Sequence, residues 1–165
     1  MKKFSPIALF IFVVLVFNNC KSKNNTNIEI AKTIPYFTFA TLDRKPFVKD
    51  SLDTIRTKFI FYFNSECEHC QKQGKWLSKE IDVFKDLEMI FISYEQMGAI
   101  KNYRDKYNFN QENITFLEDS RLTFSHLFGA ENFPSILIYS KEGKLIKAFK
   151  GETKVEEILE FVQQP

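Results

Sequence analysis

Cysteines, long apolar runs and an excess of charge of either sign are all scarce in this 165-residue chain. Its three cysteines cannot build a dense disulfide framework, so stability has to come from an ordinary hydrophobic core. The run Ile7 to Phe17 is about a dozen residues long, against the roughly 20 that a bilayer requires, and cannot form a full membrane span. Charge is close to balanced, with 23 Lys and Arg against 21 Asp and Glu. No basic stripe follows a phosphate backbone and no charge block forms a tail, so nucleic acid is not an expected partner. There is no internal repeat.

The first 19 residues read as a signal peptide, with Lys2 and Lys3 as its basic start and Ile7 to Phe17 as its apolar core. Cleavage before Cys20 leaves that thiol at the N-terminus, where bacterial lipoproteins carry a diacylglycerol, and Lys21 to Asn27 then belongs to a flexible tether. The box before Cys20 departs from the usual lipoprotein pattern, with Phe17 and Asn19 where Leu and a small residue are common. The competing readings are cleavage elsewhere, which leaves Cys20 as an odd thiol, or a short uncleaved anchor. The expected organisation is a signal peptide over 1–19, an anchor and tether over 20–33 and one domain over 34–165.

An adjacent cysteine pair carries the chemistry. The segment Asn64-Ser65-Glu66-Cys67-Glu68-His69-Cys70-Gln71 directly follows the apolar run Phe59 to Phe63, which puts Cys67-x-x-Cys70 where a strand hands over to a helix. Two cysteines three apart at a helix start can close a tight reversible disulfide, and the free N–H groups of the first turn stabilise a thiolate on the first. A structural disulfide, half of a zinc site and two unreactive thiols are the alternatives, and the strand-to-helix setting favours redox use. A zinc or copper site on Cys67, Cys70 and a histidine lacks a second ligand pair at recognisable spacing.

Along the rest of the chain, strand and helix signals alternate. Tyr36–Ala40 and Pro46–Val48 predict a small hairpin, Phe59–Phe63 a strand covered on both faces, and Cys67 to about Lys85 a helix with Trp76, Leu77, Ile81 and Phe84 on one side. A strand over 89–94, a helix over 96–107, a strand over 114–117 and a helix over 121–128 follow, the last stopped by Gly129. Strands at 135–139 and 145–149 flank a turn, and an amphipathic helix over 155–162 closes the chain. The expected fold class is α/β, with a mixed central sheet and helices on both faces. His126 reads as a solvated helical residue, and Trp76 and the phenylalanines read as core.

Pro35-Tyr36-Phe37-Thr38, Cys67-Glu68-His69-Cys70, the strand and helix between Met89 and Tyr107, the Phe133-Pro134 step and the final hairpin and helix together resemble the thioredoxin-like fold. Within it they resemble the membrane-tethered TlpA/ResA type of thiol–disulfide oxidoreductase. The resemblance implies an N-terminal β-hairpin, an inserted strand-helix unit and a cis-proline at Pro134, with Phe133 and Pro134 forming the substrate groove. It implies Cys67 as nucleophile and Cys70 as resolving thiol, no bound cofactor beyond the Cys67–Cys70 disulfide, and protein thiols or disulfides as partners. An envelope protein substrate, a membrane redox donor and a location on the periplasmic side of a bacterial envelope complete what it implies.

Glu66, Glu68 and His69 tune that pair in opposite senses. The carboxylates disfavour a Cys67 thiolate and a protonated His69 favours it; at about 7 Å each unit charge contributes roughly 0.6 to 2.4 kcal/mol for effective dielectrics between about 80 and 20. These terms are comparable and leave the direction open. His69 before the second cysteine resembles oxidising DsbA-type relatives, and Glu68 after the first resembles reducing TlpA-type members. By that resemblance the motif leans modestly towards reduction. Two departures accompany the resemblance: Phe61 and Gln73 stand where relatives keep a proton-accepting acid, so deprotonation of Cys70 falls to water or another nearby group. Phe133 is bulkier than the residue usual before the proline. The peroxiredoxin motif is lacking, with Ile60 and Asn64 at its Pro and Thr places. The alternative function is a thioredoxin-fold lipoprotein that acts as a non-catalytic binding or metal-handling module.

Overall fold

Residues 29–162 are described in this computed structural model. Their strands are β1 (Thr38–Thr41), β2 (Pro46–Val48), β3 (Lys58–Tyr62), β4 (Glu88–Ser93), β5 (Ile114–Glu118), β6 (Ser135–Tyr139) and β7 (Leu145–Lys150). The α-helices are α1 (Glu68–Lys79), α2 (Met97–Lys106), α3 (Phe124–Phe128) and α4 (Val155–Val162). One sheet runs in the order β2-β1-β5-β4-β3-β6-β7. β3, β4 and β5 are mutually parallel, while β1, β2, β6 and β7 join antiparallel to their neighbours, which makes the sheet mixed.

The apolar run before the cysteine pair is unbroken because both of its faces are covered. Side chains alternate along a strand, so Phe59, Phe61 and Phe63 enter a core with Leu77 of α1, Ile100 and Tyr103 of α2 and Ile158 of α4. Ile60 and Tyr62 enter a second core with Phe124 and Phe128 of α3 and with Phe37 and Phe39 of the N-terminal hairpin. Helices thus lie on both faces, and the α/β thioredoxin-like fold expected from the sequence is the one adopted. The register Phe61↔Phe91 to β4 and Phe61↔Ile136 to β6 puts the end of β3 at the middle of one sheet edge.

Two helix boundaries differ from those expected. The helix after the cysteine pair stops at Lys79 instead of running to Lys85: Glu80 leaves helical backbone (φ −124, ψ 27) and Ile81–Phe84 continue as a 3₁₀ turn. The Asn113 amide donates to the carbonyls of Phe84 (3.0 Å) and Leu87 (2.9 Å), so a distant side chain satisfies this segment's backbone. α3 starts at Phe124, not Arg121, because Leu122 is left-handed (φ 56) and the Asp119 carboxylate accepts the N–H groups of Thr123 (3.0 Å) and Phe124 (2.7 Å). Gly129 ends α3 as anticipated, at φ 71, and a β-carbon there would collide with the Glu29 carbonyl.

The chain is tied to this domain before Ile34. Ala31 N–H donates to the Phe128 carbonyl (3.0 Å), and Leu145 N–H donates to that of Lys32 (2.8 Å). The signal segment, Cys20 and Lys21 to Asn27 lie outside the described residues.

Candidate active site

β3 carries the chain to the cysteine pair. Beyond Tyr62, the Phe63 N–H still donates to the Ile92 carbonyl of β4 (3.0 Å), and then the chain turns into α1. Cys67 is the N-cap, with extended backbone (φ −75, ψ 120), and its carbonyl accepts the first helical N–H, from Gln71, at 2.9 Å. Its half-buried thiol thus stands at the N-terminal end of α1. Cys70, in the first turn, is fully buried, and both thiols are free.

The Phe133–Pro134 bond is cis, as the resemblance implied. It brings the Phe133 carbonyl to Cys67, whose thiol donates a long hydrogen bond to it at 3.8 Å. The Phe133 ring leans on Tyr62 (centroids 4.8 Å apart) and Tyr94 (5.6 Å), and the Tyr94 hydroxyl accepts from the Asn64 side chain at 2.9 Å. An aromatic wall therefore borders the more accessible sulfur.

Beneath it, burial pushes the Cys70 thiol well up; an N–H bond from Asn64 (3.5 Å) works against this, and the Cys67 thiol and the Glu95 carboxylate add to it. Glu95 is a residue that sequence reasoning missed. Its carboxylate accepts from Ser65 N–H (2.6 Å), Ser65 Oγ (2.7 Å) and Ser93 Oγ (3.0 Å), which fixes it against the loop leading into Cys67. A signal existed: Glu95 follows β4, the parallel neighbour of β3, and such strands end along one sheet edge. Phe61 is fully buried in the aromatic core, and Gln73 is buried with Oε1 accepting from Thr153 N–H at 2.7 Å.

The remaining candidates spread out. Glu66 and Glu68 are exposed beside the pair. The imidazole of His69 contacts Glu152 (Nδ1 to Oε2, 2.6 Å), and the other Glu152 oxygen contacts Lys72 Nζ at 3.0 Å. The Lys72 hydrogen bond, the carboxylate's own backbone N–H and His69 hold the Glu152 carboxyl below its usual range. His126 is exposed on α3, and Trp76 packs partly buried on the core, with Lys72 and Lys154 over its ring. Among the described residues no group of three or more His, Cys, Asp or Glu could hold a metal ion, and no helix is long and apolar enough to cross a membrane.

A family model for the thioredoxin-like domain matches residues 49–164. The chain belongs to the thioredoxin-like family. This thioredoxin-like protein is also similar to the thiol–disulfide oxidoreductase ResA of Bacillus thuringiensis, being 23% identical over 142 residues that cover 83% of this chain and 79% of the relative. In structure it resembles a secreted Mycobacterium tuberculosis disulfide oxidoreductase homologous to E. coli DsbE, with a TM-score of 0.62, 21% identity and coverage of 76% of this chain and 93% of that one. It equally resembles the peroxidoxin BcpB of M. tuberculosis, with a TM-score of 0.69, 12% identity and coverage of 82% and 96%. At such identities structural likeness reports the fold alone. The family match and the ResA similarity put this thioredoxin-like protein among thiol–disulfide oxidoreductases.

Proposed function

We propose that the protein is an exported thiol–disulfide oxidoreductase that works mainly as a reductant, with Cys67 as nucleophile and Cys70 as resolving thiol. The observation that carries this reading is the division of labour within the pair: Cys67 is accessible at a helix N-cap beside the cis Phe133–Pro134 bond, and Cys70 is sealed beneath it. The Cys67 thiolate attacks a substrate disulfide, forming a mixed disulfide and displacing one substrate sulfur as thiolate. Cys70 gives up its proton and attacks Cys67 Sγ; the enzyme disulfide forms and the second substrate sulfur leaves. Two electrons pass to the substrate, and a donor dithiol restores the pair.

Burial makes the Cys70 proton hard to remove, and Glu95, through water, is the acceptor we assign to it. Phe133 and Tyr94 shape the groove for an extended substrate segment. No bound cofactor takes part in this scheme. An envelope protein as substrate, a membrane redox donor and a lipid on Cys20 that holds the domain to a membrane on its periplasmic side belong to the same proposal. Incorporation of labelled fatty acid that disappears in Cys20→Ser tests the anchor.

The deciding experiment equilibrates the full chain against glutathione and dithiothreitol buffers. A potential near or below about −230 mV supports a reductant, and one near −120 mV makes the protein an oxidant instead. Failure of the pair to cycle sinks the enzymatic reading and leaves a binding module.

A further inference from the structure

The loop after β7 reaches the cysteine pair and is pinned on both sides of a single acidic residue. Gly151, in left-handed backbone (φ 86), donates its N–H to the Pro134 carbonyl at 2.8 Å. Thr153 donates its N–H to the buried Gln73 of α1 at 2.7 Å. Glu152 stands between these pins, and its carboxylate bridges two side chains on the first turns of α1, His69 Nδ1 at 2.6 Å and Lys72 Nζ at 3.0 Å. Neither pin uses the Glu152 side chain, so the backbone presents the carboxylate whether or not it is engaged.

We propose that Glu152 is a positioning residue that holds the His69 imidazole away from Cys67 and thereby biases the cysteine pair towards the reducing side. This rests on the pair being redox-active, as argued above, and adds the residue that sets its poise. His69 lies between the two cysteines and is the basic side chain nearest Cys67 in sequence. A hydrogen bond is directional, and Nδ1 serves one acceptor at a time. Side-chain exposures of 65% for His69 and 22% for Glu152 mean that the imidazole is the mobile partner and the carboxylate the fixed one.

The other charged groups around the motif do not substitute for His69. Glu66 and Glu68 are anionic; Lys72 is on Glu152 and over the Trp76 ring (4.9 Å), and Lys154 lies over the same ring (4.1 Å). Released from Glu152, His69 can pair with the Cys67 thiolate. Reduction of the disulfide takes up two electrons and two protons when both thiols form, and one proton when Cys67 emerges as thiolate. Stabilising that thiolate stabilises the reduced form and raises the potential.

The test is a double-mutant cycle on the full chain with Glu152→Gln, His69→Gln and their combination. Cys67 alkylation by iodoacetamide between pH 4 and 9, resolved from Cys20 and Cys70 by peptide mass, reads its thiolate fraction, and equilibration with glutathione reads the potential. Circular dichroism checks that each variant folds. Glu152→Gln is expected to raise the thiolate fraction near pH 6 about threefold to tenfold and to raise the potential, a tenfold change in the exchange equilibrium constant being about 30 mV, and to have no effect once His69 is Gln. An equal rise in the His69→Gln background assigns the effect to Lys72 or to the carboxylate's own field and overturns the proposal; so does unchanged alkylation in a chain that cycles normally. Failure of the wild-type pair to equilibrate with glutathione overturns the oxidoreductase reading first, and this one with it.

Discussion

The Tyr103 hydroxyl donates a 2.7 Å hydrogen bond to the Cys70 carbonyl, joining α2 to the first turn of α1. The approach is possible because Gly74 offers no side chain there: a β-carbon would collide with the phenol. Tyr103→Phe keeps the ring contacts with Phe63 (4.3 Å) and Tyr107 (4.7 Å) and loses only the hydrogen bond, which costs about 0.5–1.5 kcal/mol. Gly74→Ala forces the two helices apart and costs about 1–3 kcal/mol. Urea midpoints decide: a Gly74→Ala midpoint no lower than that of Tyr103→Phe contradicts the close approach.

The parts of this arrangement that were legible beforehand are those written in local pattern. Phe59 to Phe63 is apolar on both faces because two cores meet on β3, and the Cys67-x-x-Cys70 spacing at its end located the helix start to within a residue. The parts that were not legible depend on side chains that reach across the fold. Asp119 sets the start of α3 from outside it, and Asn113 satisfies the carbonyls of Phe84 and Leu87 from 29 and 26 residues away. Glu95 had a signal in its place after a parallel strand. Glu152 had none, since only the pairing of β6 with β7 brings its loop to α1.

The two cysteines should fail differently. Cys67→Ser removes the accessible sulfur and is expected to lower turnover of a protein disulfide by about two orders of magnitude or more. Cys70→Ser leaves the attack intact and removes the resolving step, so enzyme and substrate accumulate as a mixed disulfide, visible as an added mass that dithiothreitol removes. Equal accumulation in Cys67→Ser reverses the assignment of roles.

Phe133 should matter for large substrates and little for small ones. Its ring completes the wall with Tyr62 and Tyr94, and aromatic contacts of this kind contribute about 0.5–1.5 kcal/mol beyond their burial. Phe133→Ala is expected to raise KM for a protein disulfide about threefold to tenfold, with the rate of a small aromatic disulfide changed less than about twofold. Parallel losses on both substrates point instead to a displaced Cys67.

The buried Cys70 thiol should make the dithiol form sensitive to alkali. Burial raises it far above the value of about 9 that the thiol has in the unfolded chain, so between those values the folded protein keeps a proton that the unfolded chain has lost. Unfolding then releases a proton, and stability, fully present below pH 9, falls as pH rises, by up to about 1.4 kcal/mol per pH unit. Buried Tyr62, pushed up to about 12, and buried Tyr103 and Tyr139 join in once unfolded tyrosines ionise near pH 10. Urea midpoints of the dithiol form are therefore expected to begin falling near pH 9. Those of the disulfide form and of Cys70→Ser, which have no such thiol to titrate, should begin only near pH 10. If all three start together, the early loss does not come from Cys70.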